Sequence, residues 1–143
     1  MSNFSAWHYR SQLLKQRGTL DAKTLSLELD LIINAVFVDP SDQSIWIYYR
    51  WIISQSDKGK MKFETQVETT SSEMTDTLNE HIEVLDDLLS ENCDIKTERS
   101  ISLTLIAIYK QLEQSDKIKE LASKLIESDS IRAGYYRHIL DSL

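Results

Sequence analysis

Proline and glycine are nearly missing from this chain: one of the first and three of the second in 143 residues. A many-stranded β protein needs turn residues at every hairpin, so the scarcity favours helices joined by short connections. Cysteine is as scarce. Cys93 stands alone, which rules out an intrachain disulfide and fits a reducing compartment. Long apolar runs are lacking too: the richest, SIWIYYRWII, contains Arg50 and is far too short to span a bilayer. No signal-peptide pattern precedes Asn3, so the expectation is a cytoplasmic protein without membrane insertion. An excess of positive charge is also wanting. With 23 acidic against 16 basic residues the formal charge is −7, which argues against nucleic-acid binding and against an anionic membrane surface. A protein partner remains compatible.

What is present is helical periodicity. Residues 1–143 suit a single domain, and apolar residues make up 41% of them, enough for a core. Leu25, Leu29, Ile32, Ile33 and Val36 share one helix face, as do Leu78, Ile82, Leu85, Leu88 and Leu89. Further stripes are Ile101, Leu105, Ile108, Leu112 and then Ile118, Leu121, Ala122, Leu125, Ile126. Gly18 reads as a left-handed helix terminator. Asp39-Pro40 closes one helix and can open the next, with Asp39 as N-cap, and Thr77-x-x-Glu80 has capping-box spacing. About seven helices follow, near 4–16, 23–38, 41–54, 77–90, 97–113, 116–128 and 131–141. Residues 56–73 are polar and rich in Thr and Ser; they read as an insertion, either disordered or a short hairpin through Met61, Phe63, Thr65 and Val67.

One phrase occurs twice. NFSAWHYRSQLL at 3–14 and DQSIWIYYRWII at 42–53 each place a serine two positions before a tryptophan, then aromatics and an arginine. Weaker echoes follow, the last being SIRAGYYRHIL from 130. Without the insertion the period lies roughly in the thirties, the length of one helical hairpin in a solenoid. The second phrase is apolar over most of its circumference, so neighbours must cover it on several sides. The first opens the chain without a preceding hairpin, and the expectation is a fragment of a longer α–α superhelix, TPR-like in its hairpins.

These residues resemble the protein prenyltransferase alpha-subunit family, whose repeat carries an Asn-aromatic-x-Ala-Trp-His-x-Arg run like that at 3–10. The stretch LELDLIINAVFVDPSDQSIWIYYRWII is similar to the branch of that family serving geranylgeranyl transfer to Rab GTPases, and LIESDSIRAGYYRHILDSL resembles its final repeat, with Ser130 in place of a proline. Residues 74–113 match by helix pattern alone: the expected tryptophan is absent. The resemblance implies the C-terminal half of a subunit that scaffolds a beta subunit. That partner would hold the catalytic zinc and the isoprenoid pocket, and Rab would arrive with an escort protein. No cofactor is expected in this chain. Rival readings are the alpha subunit shared by the farnesyl and type I enzymes, and a TPR-like peptide-binding module.

His8, His81, His138 and Cys93 make no paired ligand spacing, and Cys93 has no histidine close in sequence to activate it. Trp7, Trp46, Tyr48, Tyr49 and Trp51 are either core or part of a face that meets the beta subunit. Arg10 and Arg50, each about one turn from a tryptophan, need a carboxylate. Glu28, Asp30 or Asp42 can supply it internally; a salt bridge across a subunit interface is the alternative. Asn3 and Asp42 open the two phrases as helix caps or contacts. The candidate partner-binding set is therefore Asn3, Trp7, Arg10, Asp42, Trp46 and Arg50; no catalytic residue is expected.

Overall fold

Helices form where apolar residues recur every three or four positions. The computed structural model describes residues 3–17, 22–55, 67–91 and 94–143. Among them are seven α-helices, one 3-10 turn and no strand: α1 (Asn3–Arg17), α2 (Ala22–Val38), α3 (Gln43–Gln55), α4 (Val67–Ser90), α5 (Ile95–Gln111), α6 (Ser115–Ser128), the turn Ser130–Arg132, and α7 (Ala133–Asp141). The expected all-α helical-repeat fold is the one observed. Gly18 lies outside the described residues, as do 56–66 of the polar stretch. No described helix is long and apolar enough to cross a membrane.

The chain divides into two compact units, Met1–His81 and Ile82–Leu143. In the first, α3 packs against both α1 and α2. Its Ile45, Trp46, Tyr48, Tyr49, Ile52 and Ile53 are buried, and so are Leu25, Leu29, Ile32 and Val36 of α2. Two boundaries differ from the sequence reading. Asp39 does not cap α3. Its Oδ1 instead accepts from the Ser41 amide at 3.2 Å and hydroxyl at 2.6 Å, closing a local turn through Pro40. Asp42 is the cap, accepting from the Ser44 amide at 3.0 Å and its hydroxyl at 2.6 Å. Likewise Thr77 does not stand at a helix start, because α4 already begins at Val67. Met74, Leu78, His81 and Leu85 are all buried, so an unbroken apolar stripe carries the helix past weak helix formers; burial outweighs local propensity. Residues 67–73 therefore belong to a helix, not to a hairpin or a disordered insertion.

In the second unit, α6 packs against both α5 and α7. Ile101, Leu105 and Ile108 of α5 face inward, with Ile118, Leu121, Ala122 and Leu125 of α6. Asp94 caps α5 by accepting from the Thr97 amide at 2.8 Å, which starts the helix two residues before the position read from the sequence. After α5 the chain closes a double turn: the Gln114 amide donates to the Tyr109 carbonyl at 2.9 Å, and the Glu113 amide to Lys110 at 3.3 Å. Glu113 takes φ 58° to do so, a left-handed conformation that glycine adopts without penalty. Glu113→Gly is therefore expected to stabilise the protein by about 1 kcal/mol, read as a higher urea midpoint with an unchanged slope.

Candidate functional site

Glu28 is the starting point, because it is a carboxylate on the buried face of α2. Three residues after Leu25 and four before Ile32, it falls within the apolar stripe and is 6% exposed. A charge there is costly unless it is hydrogen-bonded on several sides. Arg10 of α1 supplies both arms of its guanidinium: Nε donates to Oε2 at 2.7 Å and Nη2 donates to Oε1. The Tyr48 hydroxyl of α3 donates to Oε2 at 2.8 Å. One carboxylate thus joins three helices. The bond to Glu28 raises the Arg10 pKa. Burial first, and then Glu28, push the Tyr48 hydroxyl upward, so both groups keep their protons and remain donors.

Tyr48 also meets two tryptophan rings, each tilted against its own. Trp7 and Tyr48 have centroids 4.9 Å apart, and Tyr48 and Trp51 are 5.8 Å apart, distances at which ring pairs attract. Lys15 Nζ sits 5.5 Å from the Trp51 ring centroid, a cation–π contact. Together α1 and α3 form a groove of about 170 Å³, lined by Trp7, His8, Ser11 and Lys15 on one side and Ser44, Ile47, Tyr48 and Trp51 on the other.

The structure separates the two tryptophan phrases. Trp46 is fully enclosed; its indole Nε1 donates to the Pro40 carbonyl at 2.8 Å, and its ring stacks on Tyr49 with centroids 6.0 Å apart. It is a core residue that ties the turn to α3. Trp7 is half-buried and lines the groove. Arg10 is half-exposed and bonded inside the chain, Asp42 is a helix cap, and Arg50 is half-buried on α3. The Asn3 side chain and Cys93 lie outside the described residues.

Sequence reasoning passed over the pairing of Tyr49 with His81. Both are buried. The Tyr49 hydroxyl is hydrogen-bonded to His81 Nδ1, and the two rings meet edge to face. The signal was there to find: His81 is three residues after Leu78 and four before Leu85, on the apolar stripe of α4. Burial lowers the His81 pKa, while Asp30 opposes the shift, so the folded state favours neutral imidazole. The unfolded chain binds its proton near pH 6.5. Stability is then fully present above that pH and falls as pH drops toward the lower folded value. His81→Gln, which retains an acceptor and does not titrate, is expected to flatten the loss of urea resistance between about pH 7 and 5.5.

The second unit ties its last helix with different residues. Asp129, 7% exposed, accepts from the Tyr136 hydroxyl at 2.6 Å and from Arg132 Nη1 at 3.1 Å and 3.3 Å. Arg99 Nη1 lies 3.6 Å away. These groups, Tyr136 foremost, hold the Asp129 carboxyl below the usual carboxylate range. Burial and Asp129 push the Tyr136 hydroxyl up to about 12. Tyr136 stands seven residues after Asp129, as Trp46 does after Asp39, and both aromatics are fully buried and bonded back to the turn before their helix. The same construction closes both turns, with tyrosine replacing tryptophan in the second.

These features define the class: an all-α protein of repeated helical hairpins, two of whose turns are fastened by a buried aromatic residue. Residues 25–56, which hold Glu28, the Asp39–Asp42 turn, Trp46 and Tyr48, match the protein prenyltransferase alpha subunit repeat. The geranylgeranyl transferase type-2 subunit alpha of Saccharomyces cerevisiae is 30% identical over 155 residues, covering 99% of this chain and 45% of that protein. Its Schizosaccharomyces pombe counterpart is 29% identical over 159 residues, 99% of this chain and 46% of that one. The human protein of the same name is 46% identical over 65 residues, 39% of this chain and 12% of its own length. The chain spans less than half the length of these relatives. It belongs to the protein prenyltransferase alpha-subunit family.

Proposed function

We propose that this chain is, or forms part of, the alpha subunit of a type-2 geranylgeranyl transferase. It scaffolds a beta subunit that carries out the transfer of geranylgeranyl from its diphosphate to C-terminal cysteines of Rab GTPases, which an escort protein presents in the cytoplasm. The observation that carries this reading is the segment 25–56: it matches the family repeat, and its turn, cap and tryptophan hold one another through the bonds of Asp39, Asp42 and Trp46. The match to the two yeast subunits, which takes in 99% of this chain, supports the type-2 assignment.

On this reading the chemistry resides in the partner. Among the described residues no group of His, Cys, Asp and Glu could hold a metal ion, and His81 Nδ1 is engaged by Tyr49. The proposal assigns zinc to the beta subunit, as the family resemblance implies. Co-expression with the beta subunit tests the proposal. The expected result is a copurifying heterodimer that transfers labelled geranylgeranyl to Rab in the presence of the escort protein. Transfer to short CaaX peptides in place of Rab favours the farnesyl and type I branch. A chain that never copurifies with the beta subunit overturns the reading.

A further inference from the structure

Helix α2 is apolar on two opposite sides. At about 100° per residue, Leu25, Leu29, Ile32 and Val36 form the buried side, and Leu27, Leu31 and Val38 fall on the side turned away from it. The outer side chains are bare: Leu27 is 60% exposed, Leu31 42% and Val38 85%, with Phe37 at the margin of the stripe 58% exposed. A helix buried on one face ordinarily turns charged and polar residues to the other. Here Lys23 opens the stripe, Asp39 follows its last residue and Asp30 stands at its edge, all three exposed. A contiguous apolar stripe with a polar rim marks a surface that another protein covers.

The order of the residues says which protein. In one direction the stripe runs cation, leucine, leucine, valine, anion. Laid against a copy running the opposite way, Leu27 of each chain falls opposite Val38 of the other, and Leu31 lies beside the two-fold axis. The Lys23 ammonium of each chain then reaches the Asp39 carboxylate of the other. Laid parallel, the same stripe would set lysine beside lysine and aspartate beside aspartate. Asp39 is already fixed by its bonds to Ser41, so its charge is in place before docking and costs little further ordering.

We infer that the outer face of α2 is a homotypic docking surface, on which a second copy of this chain packs antiparallel. The inference goes beyond the subunit reading above and does not rest on it. Sedimentation equilibrium of the full chain across the micromolar range tests it. Expected is a monomer–dimer equilibrium that Leu27→Glu and Val38→Lys each weaken about thirtyfold or more. Both side chains are exposed, and circular dichroism verifies that both variants fold. Lys23→Glu weakens the dimer about fivefold.

The double variant is the sharper test. Positions 27 and 38 stand roughly 16 Å apart along one helix, so Leu27→Glu and Val38→Lys gain nothing from each other within a chain. Between antiparallel copies each new glutamate meets a new lysine, and dimerisation is expected to return and to weaken as salt rises. A double variant no better than the single ones overturns the inference, as does a dimer that Leu27→Glu leaves intact. A native chain that stays monomeric throughout the range also overturns it. If Leu27→Glu then loses the beta subunit in copurification as well, the face belongs to that partner and the subunit reading stands without the homotypic contact.

Discussion

Trp46→Ala is expected to cost about 4 kcal/mol, the upper part of the range for removing a fully buried large aromatic. Three contributions are lost together. The fully buried indole leaves a void, the stacked contact with Tyr49 disappears, and the Pro40 carbonyl loses its donor. A loss of that size consumes much of the stability of an ordinary domain, so the variant should be largely unfolded near 37 °C. Urea denaturation followed by circular dichroism measures it. Trp46→Phe separates the causes: most of the apolar volume is kept, and the expected loss falls to about 1–2 kcal/mol for the missing hydrogen bond and residual space. A Trp46→Ala variant as stable as the native chain would show that the turn and α3 are held by something else.

Glu28→Ala is the second large effect, about 2–3 kcal/mol, since one deletion strands a guanidinium and a buried phenol at once. The figure sits below that for a fully buried pair because Arg10 is 45% exposed on its side chain and water recovers part of its hydration. Deleting Arg10 alone leaves Glu28 with the Tyr48 hydroxyl, and deleting Tyr48 alone leaves it with Arg10. A double-mutant cycle between Arg10→Gln and Glu28→Gln should therefore return a coupling of about 1 kcal/mol or more. The same Glu28 variants should loosen Tyr48, read as a change in quenching of the nearby Trp7 and Trp51 fluorescence. Additive single-variant effects would show that the three helices are joined by packing alone.

Much of this was legible from residue order. Leu25, Leu29, Ile32 and Val36 announced the buried face of α2, and Ile118, Leu121, Ala122 and Leu125 that of α6, because helical spacing and burial are the same information. The requirement that Arg10 find a carboxylate was legible too, with Glu28 among the choices. The choice itself was not. Asp30 stands only two residues from Glu28 and Asp42 was open as well, and only the packing of α3 against both α1 and α2 brought Glu28 to Arg10 and Tyr48. Asp39 was misread as the cap of α3 for a related reason: Asp39 and Asp42 were both read as caps, and the turn through Pro40 decides that Asp42 stands at the helix start. Thr77-x-x-Glu80 mimicked a helix start inside a helix that the stripe Met74–Leu78–His81–Leu85 had already committed.

Residue order by itself therefore determined that this chain is helical, repetitive and of the prenyltransferase alpha type, because spacing, turn residues and the tryptophan phrase are local properties that no distant contact can undo. Tertiary structure alone decided what each member of the phrase does. Trp46 became core and Trp7 a groove wall, Tyr48 a donor to Glu28 and Tyr49 the partner of His81. Side chains with the same chemistry part ways when one is enclosed by neighbouring helices and the other is covered on one side, since burial sets both the cost of an unmet hydrogen bond and the surface left for a partner.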